Sequence, residues 1–271
     1  MKNSVKYLYI IVFCLLPMGR VIAQNADTLI YVSKSVRSVG CGFPALNYSL
    51  LSPLIHTGYS ANFHSTRFNE KPKHLSQLQI HSKFGFLYNN ANDSYITSLG
   101  VNGGWSRHWF VSDRERPLRI LIGAGADIGM DVSMKDDNTN NPMAYFFNIS
   151  LSPDILFKYR FKINEIKFEL GQQIDIPVVS LISSSDYSAS LPLGIAEEEA
   201  SFFDAMRLTV LFGSLKKCVT ITTLDVKPSS GKYPVFRISY IFSGMNYNNE
   251  AFTVKSADNI LLFGIIFNLF R

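Results

Sequence analysis

The sequence predicts an all-β chain: an antiparallel transmembrane β-barrel of about ten strands that follows a cleaved export signal. Three observations carry this reading. Apolar and polar residues alternate with period two over stretches far longer than the ~5 to 6 residues of an ordinary globular strand. The polar rows of those stretches are rich in glycine, serine and asparagine, which suits a crowded or water-filled lumen better than an exposed face crowded with Lys and Glu. After the first twenty-odd residues there is no helix-period stretch of useful length and no further apolar run long enough to span a membrane as a helix.

The N-terminal residues read as a secretory signal. Lys2 and Lys6 make a positive start, Leu8 to Leu16 an apolar stretch, and Val21-Ile22-Ala23 the small-residue site before Gln24. Pro17, Gly19 and Arg20 cut the apolar run short of the ~20 residues of a spanning helix. Cys14 follows Val12 and Phe13, without the small residue that precedes a lipidated cysteine. Residues 1–23 are therefore the signal peptide, 24–45 an N-terminal periplasmic segment, and 46–271 the barrel.

Cleavage removes Lys2, Lys6 and Arg20 and no acid, so the formal net charge falls from +5 to +2. That balance excludes a nucleic-acid footprint. Cys41 and Cys218 remain, enough for at most one disulfide in an oxidising compartment.

The strands are read in order as 46–54, 57–69, 75–90, 94–111, 117–135, 144–163, 166–182, 204–226, 233–247 and 259–271. The fourth sets Tyr95, Leu99, Val101, Trp105 and Trp109 against Ser98, Gly100, Asn102, Gly104, Ser106 and His108. Tyr95 to Trp105, tilted by about 40°, spans roughly 25 Å, the height of an apolar band between interfacial aromatics; Tyr95, Trp105 and Trp109 are assigned to those interfaces. In the fifth, Leu118, Ile120, Ile122, Ala124, Ala126, Ile128, Met130, Val132 and Met134 share one face, and Leu121 alone interrupts the polar row. The sixth runs from Phe147 to Ile163 in the same manner, with Leu156 as its exception. Gly213-Ser214-Leu215-Lys216-Lys217 interrupts the eighth; a hairpin there, with a further strand from 28–37, gives twelve strands instead. An even count puts both termini in the periplasm and the connections at 136–143 and 183–203 outside.

In the final segment Phe263, Ile265, Phe267 and Leu269 form one row and Phe270 is penultimate. This resembles the closing strand of outer-membrane barrels, in which a terminal aromatic is read by the barrel-assembly machinery. Phe263, Phe267 and Phe270 would be that signal here, although Arg271 stands where the aromatic is usually last. With Tyr- and Asn-rich loops and segments such as Asn62-Phe63-His64-Ser65-Thr66-Arg67-Phe68, the chain resembles the uncharacterised outer-membrane barrels of Bacteroides-type bacteria, a family of unknown function that implies no mechanism.

The chemistry expected inside the barrel is electrostatic. Asn164-Glu165 is a two-residue turn, so residues whose numbers sum to 329 face one another. Arg160 then pairs with Glu169, and Asp154 meets Asp175, two carboxylates that oppose each other unless a cation, a proton or an arginine intervenes. Centring the next loop brings Asp127 within about one register step of Asp154. The three acids would make a cation-selecting constriction, or be neutralised by Arg119, Arg207 or Arg237. Histidines 56, 64, 74, 81 and 108 are available to a lipid-acting hydrolase, but adjacent strand residues point to opposite faces, so neither His64-Ser65 nor His81-Ser82 is a base and nucleophile pair. A cross-strand pair is still open. No phosphate loop, zinc spacing or EF-type loop occurs, and no cofactor or metal is expected. Asp136-Asp137-Asn138 and Glu197-Glu198-Glu199 are outer-loop acidic runs that could bind divalent cations bridging lipopolysaccharide.

The expected function is a non-enzymatic barrel in the outer membrane of a Gram-negative bacterium, a narrow channel or a structural surface protein. Its partners are membrane lipid, lipopolysaccharide, the assembly machinery, and small solutes or cations. A lipid-modifying barrel hydrolase and a soluble periplasmic β-sandwich are the alternatives.

Overall fold

Pairing between the two ends of the chain closes the sheet. The computed structural model describes residues 32–91, 93–135, 143–186, 189–192, 207–210, 213–228, 234–248 and 252–270. Its first strand, β1 (Val32–Tyr48), runs antiparallel to its last, β13 (Thr253–Phe270), from Ser33 opposite Phe270 to Tyr48 opposite Val254. Between them come β2 (His56–Glu70), β3 (His74–Asn89), β4 (Ser94–Phe110), β5 (Leu118–Met134), β6 (Met143–Ile163), β7 (Ile166–Asp175), β8 (Val179–Asp186), β9 (Ala189–Pro192), β10 (Arg207–Val210), β11 (Leu215–Lys227) and β12 (Val235–Asn248). No helix is found among these residues.

The closed circuit runs β1-β2-β3-β4-β5-β6-β7-β11-β12-β13 and back to β1, ten antiparallel staves. β6 pairs with β7 along one half and with β8 along the other. β10 pairs with β8 while β11 pairs with β7, so the interruption at Gly213 lies within a single stave and is not a hairpin. The twelve-strand alternative is thereby corrected to ten.

The N-terminal boundary is also corrected. Residues 32–45, read as part of a periplasmic segment, form most of β1, and 49–55 is a connection rather than the end of a strand. Ser, Gly and Arg blur the alternation in β1; its pairing with β2 and β13 makes it a strand. The apolar Leu50 and Leu51 looked like strand but are buried in the connection instead. β13 likewise starts at Thr253 rather than 259. Residues 1–23, read as a signal peptide, residues 24–31, and the acidic runs at 136–138 and 197–199 lie outside the described residues.

Period two sorts the side chains. Val39, Phe43, Tyr59, Phe84, Leu99, Ile128, Tyr240 and Phe263 belong to a wide set of large apolar residues exposed on the outer surface, far more than a soluble monomer presents. Ser60, Asn62, Gln77, Asn148, Ser150 and Ser239 are buried inside. A sandwich would bury the apolar rows between two sheets; here one sheet closes with those rows outward, which corrects the sandwich alternative. The turn between β6 and β7 places Asn164 at φ 52°, a left-handed conformation that Asn tolerates and that two-residue hairpins require.

Strands approach closely at Gly40, where an added Cβ would overlap the carbonyl oxygen of Leu261 on β13. Gly40→Val is expected to push the closing seam apart and cost about 1–3 kcal/mol. Urea unfolding of the refolded barrel in detergent checks this.

Candidate functional site

The lining of the lumen changes in layers. At the end where β1 finishes and β13 starts it is apolar. Tyr48, Leu50, Leu51, Leu87, Ile96, Phe146, Ile182, Leu215, Tyr247 and Phe252 form one buried cluster. The connection after β1 folds inward to supply Leu50 and Leu51, held by the amides of Leu51 and Ser52 donating to the Tyr48 carbonyl (2.9 Å each) and by Ser49 N to Thr253 O (3.0 Å). The Tyr48 hydroxyl donates to the Tyr145 carbonyl at 2.8 Å, and β1 and β6 stand on opposite sides of the ring. Phe146 of β6 packs against Tyr247 of β12 with ring centroids 5.4 Å apart. These contacts close the cross-section.

At the end where β1 starts and β13 finishes the closure is ionic. Arg119 on β5, 1% exposed, reaches Glu70 on β2 (3.3 Å) and Glu169 on β7 (2.9 Å). Glu169 also receives Arg160 (2.7 Å) and Lys158 (3.4 Å), and Arg114 holds Glu70 (2.7 Å). Arg119 and Lys158 are neighbours in register, two cations side by side, and both turn onto Glu169. Just inside lies a cluster of Leu75, Leu121 and Leu156 with Phe68 and Phe110 against it. Leu121 and Leu156, the two exceptions in the polar rows, are register partners that meet inside the lumen.

Between the two closures is a cavity of about 110 Å³. One wall is polar, with His64, His81, Lys83, Asn102 and Asp127; the other is apolar, with Ile221, Ile241 and Ile260. Lys83 stands between Asp131 and Asp258, 3.1 Å from each, tying β3 to β5 and to β13. His64 and His81 face one another in register, with ring centroids 5.9 Å apart.

The register sets Arg160 opposite Glu169 and Asp154 opposite Asp175, as the turn predicts. Asp127 differs: it lies opposite Ser150, while Gly123 stands across from Asp154, because β5 and β6 pair out to Met134 opposite Met143, two residues away from the register of a loop centred on 136–143. Asp154 is fully buried, with His108 Nε2 2.9 Å from its Oδ2 and Gln173 Nε2 donating to the same oxygen at 2.6 Å. Arg119 and Arg237 do not serve these acids; Arg119 holds Glu70 and Glu169, and Arg237 binds Asp225 at 2.5 and 2.7 Å. The side chain of Arg207 lies outside the described residues. Asp127 shares the chamber with Lys217. Among the described residues no three His, Cys, Asp or Glu side chains converge on a point that would hold a metal ion.

Mid-lumen charge is therefore acidic, with Asp127, Asp131, Asp154, Asp175 and Asp258 against Lys83 and Lys217. His108, Lys83, Glu70, Asp131 and Asp258 were missed as site residues. Each sits at an inward position of its strand, so the alternation itself marks them; their partners lie two or more strands away and leave no local signal.

Tyr95, Trp105 and Trp109 are exposed on the outer surface, as are Phe263 and Phe267. Phe270 ends β13, and its side chain is outside the described residues. His64 and His81 point inward, so Ser65 and Ser82, at alternate positions of the same strands, face the other way. A cross-strand pair does form elsewhere: His56 Nε2 is 2.7 Å from Ser94 Oγ, and Nδ1 is 3.2 Å from the Leu54 carbonyl. His56 is 0% and Ser94 1% exposed.

A family model described as "Protein of unknown function (DUF3316)" matches residues 8–271. No curated protein matches the sequence. Among solved structures, the outer-membrane protease OmpT from Escherichia coli is similar with a TM-score of 0.51 at 8% identity, over 92% of this chain and 99% of that one. The translocator domain of the autotransporter NalP from Neisseria meningitidis gives 0.41 at 5% identity, over 97% of each chain. The attachment invasion locus protein Ail of Yersinia pestis gives 0.32 at 9%, over 87% and 99%. At such identity the likeness to OmpT is one of fold: this chain is a closed ten-stranded barrel of the kind found in outer-membrane proteins.

Proposed function

We propose, from the premise that this chain belongs to the DUF3316 family of proteins of unknown function, that it is a non-enzymatic barrel of the Gram-negative outer membrane, in a bacterium of the Bacteroides type, with its lumen closed at rest. The observation that carries this is the double closure, an apolar plug at one end and the Glu70–Arg119–Glu169 bridge at the other. The outward apolar rows suit lipid, and the exposed Tyr95, Trp105 and Trp109 suit its interfaces. The end where β1 starts and β13 finishes is then periplasmic and the plug faces outside. At ten strands a lumen is narrow enough for side chains to fill much of it, which favours a structural or gated barrel over a bulk porin.

Planar-bilayer recording tests the closure. The refolded wild-type barrel is expected to show no steady single-channel current at moderate voltage, and stable open steps in most insertions would overturn the sealed reading. Retention in the outer membrane after carbonate wash, with faster migration before boiling than after, tests the location.

The His56–Ser94 pair favours a second reading, a hydrolase acting on acyl chains. Both residues are buried on the inner side of the sheet at the outer ends of β2 and β4, away from lipid, so the expected result is no turnover of phospholipid or lipopolysaccharide by the purified barrel. Turnover that disappears in Ser94→Ala would replace the non-enzymatic reading with the enzymatic one.

A further inference from the structure

At the end of the barrel where β1 starts and β13 finishes, the lumenal rows alternate between paired and unpaired charge. One row runs Arg160 (β6), Glu169 (β7), Asp225 (β11), Arg237 (β12), each opposite the next in register. Its charges satisfy each other, with Arg160 on Glu169 and Arg237 on Asp225. The next row outward runs Lys162, Lys167, Lys227, again register neighbours on three consecutive staves, and no acid interrupts it. All three are exposed and all line one wide opening of about 670 Å³, together with Lys34, Arg160 and Asn268.

Like charges set directly across a sheet repel, and the sheet gains nothing from keeping three in a row. An anion lying across them turns that repulsion into attraction. Strands are ~4.8 Å apart, so three lysines on adjacent staves present ammonium groups over roughly 10 Å, the reach of a chain of two or three phosphates. Lysine meets phosphate as a point charge with rotatable donors, so each ammonium of the row can take one phosphate of such a chain. Of the nearby acids, Glu169 and Asp225 are already occupied by arginines, and Glu165 stands in the turn between Lys162 and Lys167 rather than in the row.

We propose that the Lys162–Lys167–Lys227 row, with Lys34 beside it, is a binding site for an anion carrying two or three phosphate groups. The site depends on the rim alone. It is unaffected if the lumen proves open, and bilayer current tests that separately.

The test is calorimetric titration of the refolded full-length barrel in a neutral detergent with sodium tripolyphosphate, citrate being the tricarboxylate comparison. Saturable binding is expected, tighter than for citrate and weakening as salt is raised. Lys162→Gln with Lys167→Gln and Lys227→Gln should weaken it about tenfold or more, since each lost charge-assisted contact contributes. Lys73→Gln with Lys216→Gln and Lys255→Gln removes the same charge elsewhere and should leave it within about twofold; heat-modifiable migration confirms that both variants fold. No saturable binding, equal loss in both triple variants, or citrate binding as tightly as tripolyphosphate overturns the proposal. Repeating the titration in phosphatidylcholine vesicles with and without a diphosphorylated lipid separates the two sources of this chemistry. Unchanged affinity assigns the site to a soluble anion, and competition by the lipid assigns it to a headgroup.

Discussion

Lys83→Met should be among the most destabilising single replacements in the barrel, at about 3–5 kcal/mol, because it leaves Asp131 and Asp258 in the lumen without the cation between them. Lys83 is 3.1 Å from each carboxylate, and the pair belongs to strands five staves apart by the short way round, β5 and β13, so one side chain holds the ring across its width. The three side chains are all largely shielded, at 14%, 27% and 10% exposure, so water replaces little of what is lost. Urea unfolding followed by tryptophan emission and by gel migration measures the effect. The triple variant Lys83→Met, Asp131→Asn, Asp258→Asn removes the stranded charges as well and should recover most of the stability. If Lys83→Met alone costs under about 1 kcal/mol, the bridge is solvated and contributes only what a surface ion pair does.

Opening the lumen should need both closures to be removed. Tyr48→Ala, Phe146→Ala and Tyr247→Ala empty the centre of the apolar plug, while Arg119→Ala with Glu169→Ala takes out the ionic bridge. Either set alone leaves the other closure intact, so bilayers should stay silent. Combined, they should give discrete current steps, with gel migration verifying that the variant still folds. Current from one set alone would mean that the opposite closure does not seal, and silence from a folded combined variant would place the barrier in the central chamber.

The open variant also reads the lumenal field. Five carboxylates against Lys83 and Lys217 should make it prefer cations, seen as a reversal potential displaced toward that of the cation in a salt gradient. Adding Asp154→Asn and Asp175→Asn should move that potential back toward zero. An unchanged value would show that His108 and Gln173 already mask the pair.

Much of this architecture was legible because β structure is locally periodic. Alternation assigned Asn102, Ser106 and His108 to the inside and Leu99, Trp105 and Trp109 to the outside without any knowledge of neighbours. The Asn164-Glu165 turn fixed the register of β6 against β7, and with it the Arg160–Glu169 and Asp154–Asp175 pairs, because a two-residue hairpin leaves no freedom of register. Where a longer loop intervened, as between β5 and β6, register was not set by the chain, and Asp127 fell opposite Ser150 instead of beside Asp154. The first strand escaped because Ser, Gly and Arg carry no alternation; only closure against β13 makes it a strand.

What the amino-acid sequence determined by itself was the class, the faces of the strands and the one hairpin register. What only the tertiary structure decided was closure and content: that β1 meets β13, that Leu50 and Leu51 turn inward as a plug, that Leu121 meets Leu156, and that Arg119, Lys83 and His108 each find their acids on strands two or more staves away. The reason is one of range. A strand's faces follow from period two between adjacent residues, whereas contacts across the lumen such as Arg119–Glu70, Tyr48–Tyr145 and Lys83–Asp258 join residues 49 to 175 positions apart, which become neighbours only once the sheet has curved round to meet itself.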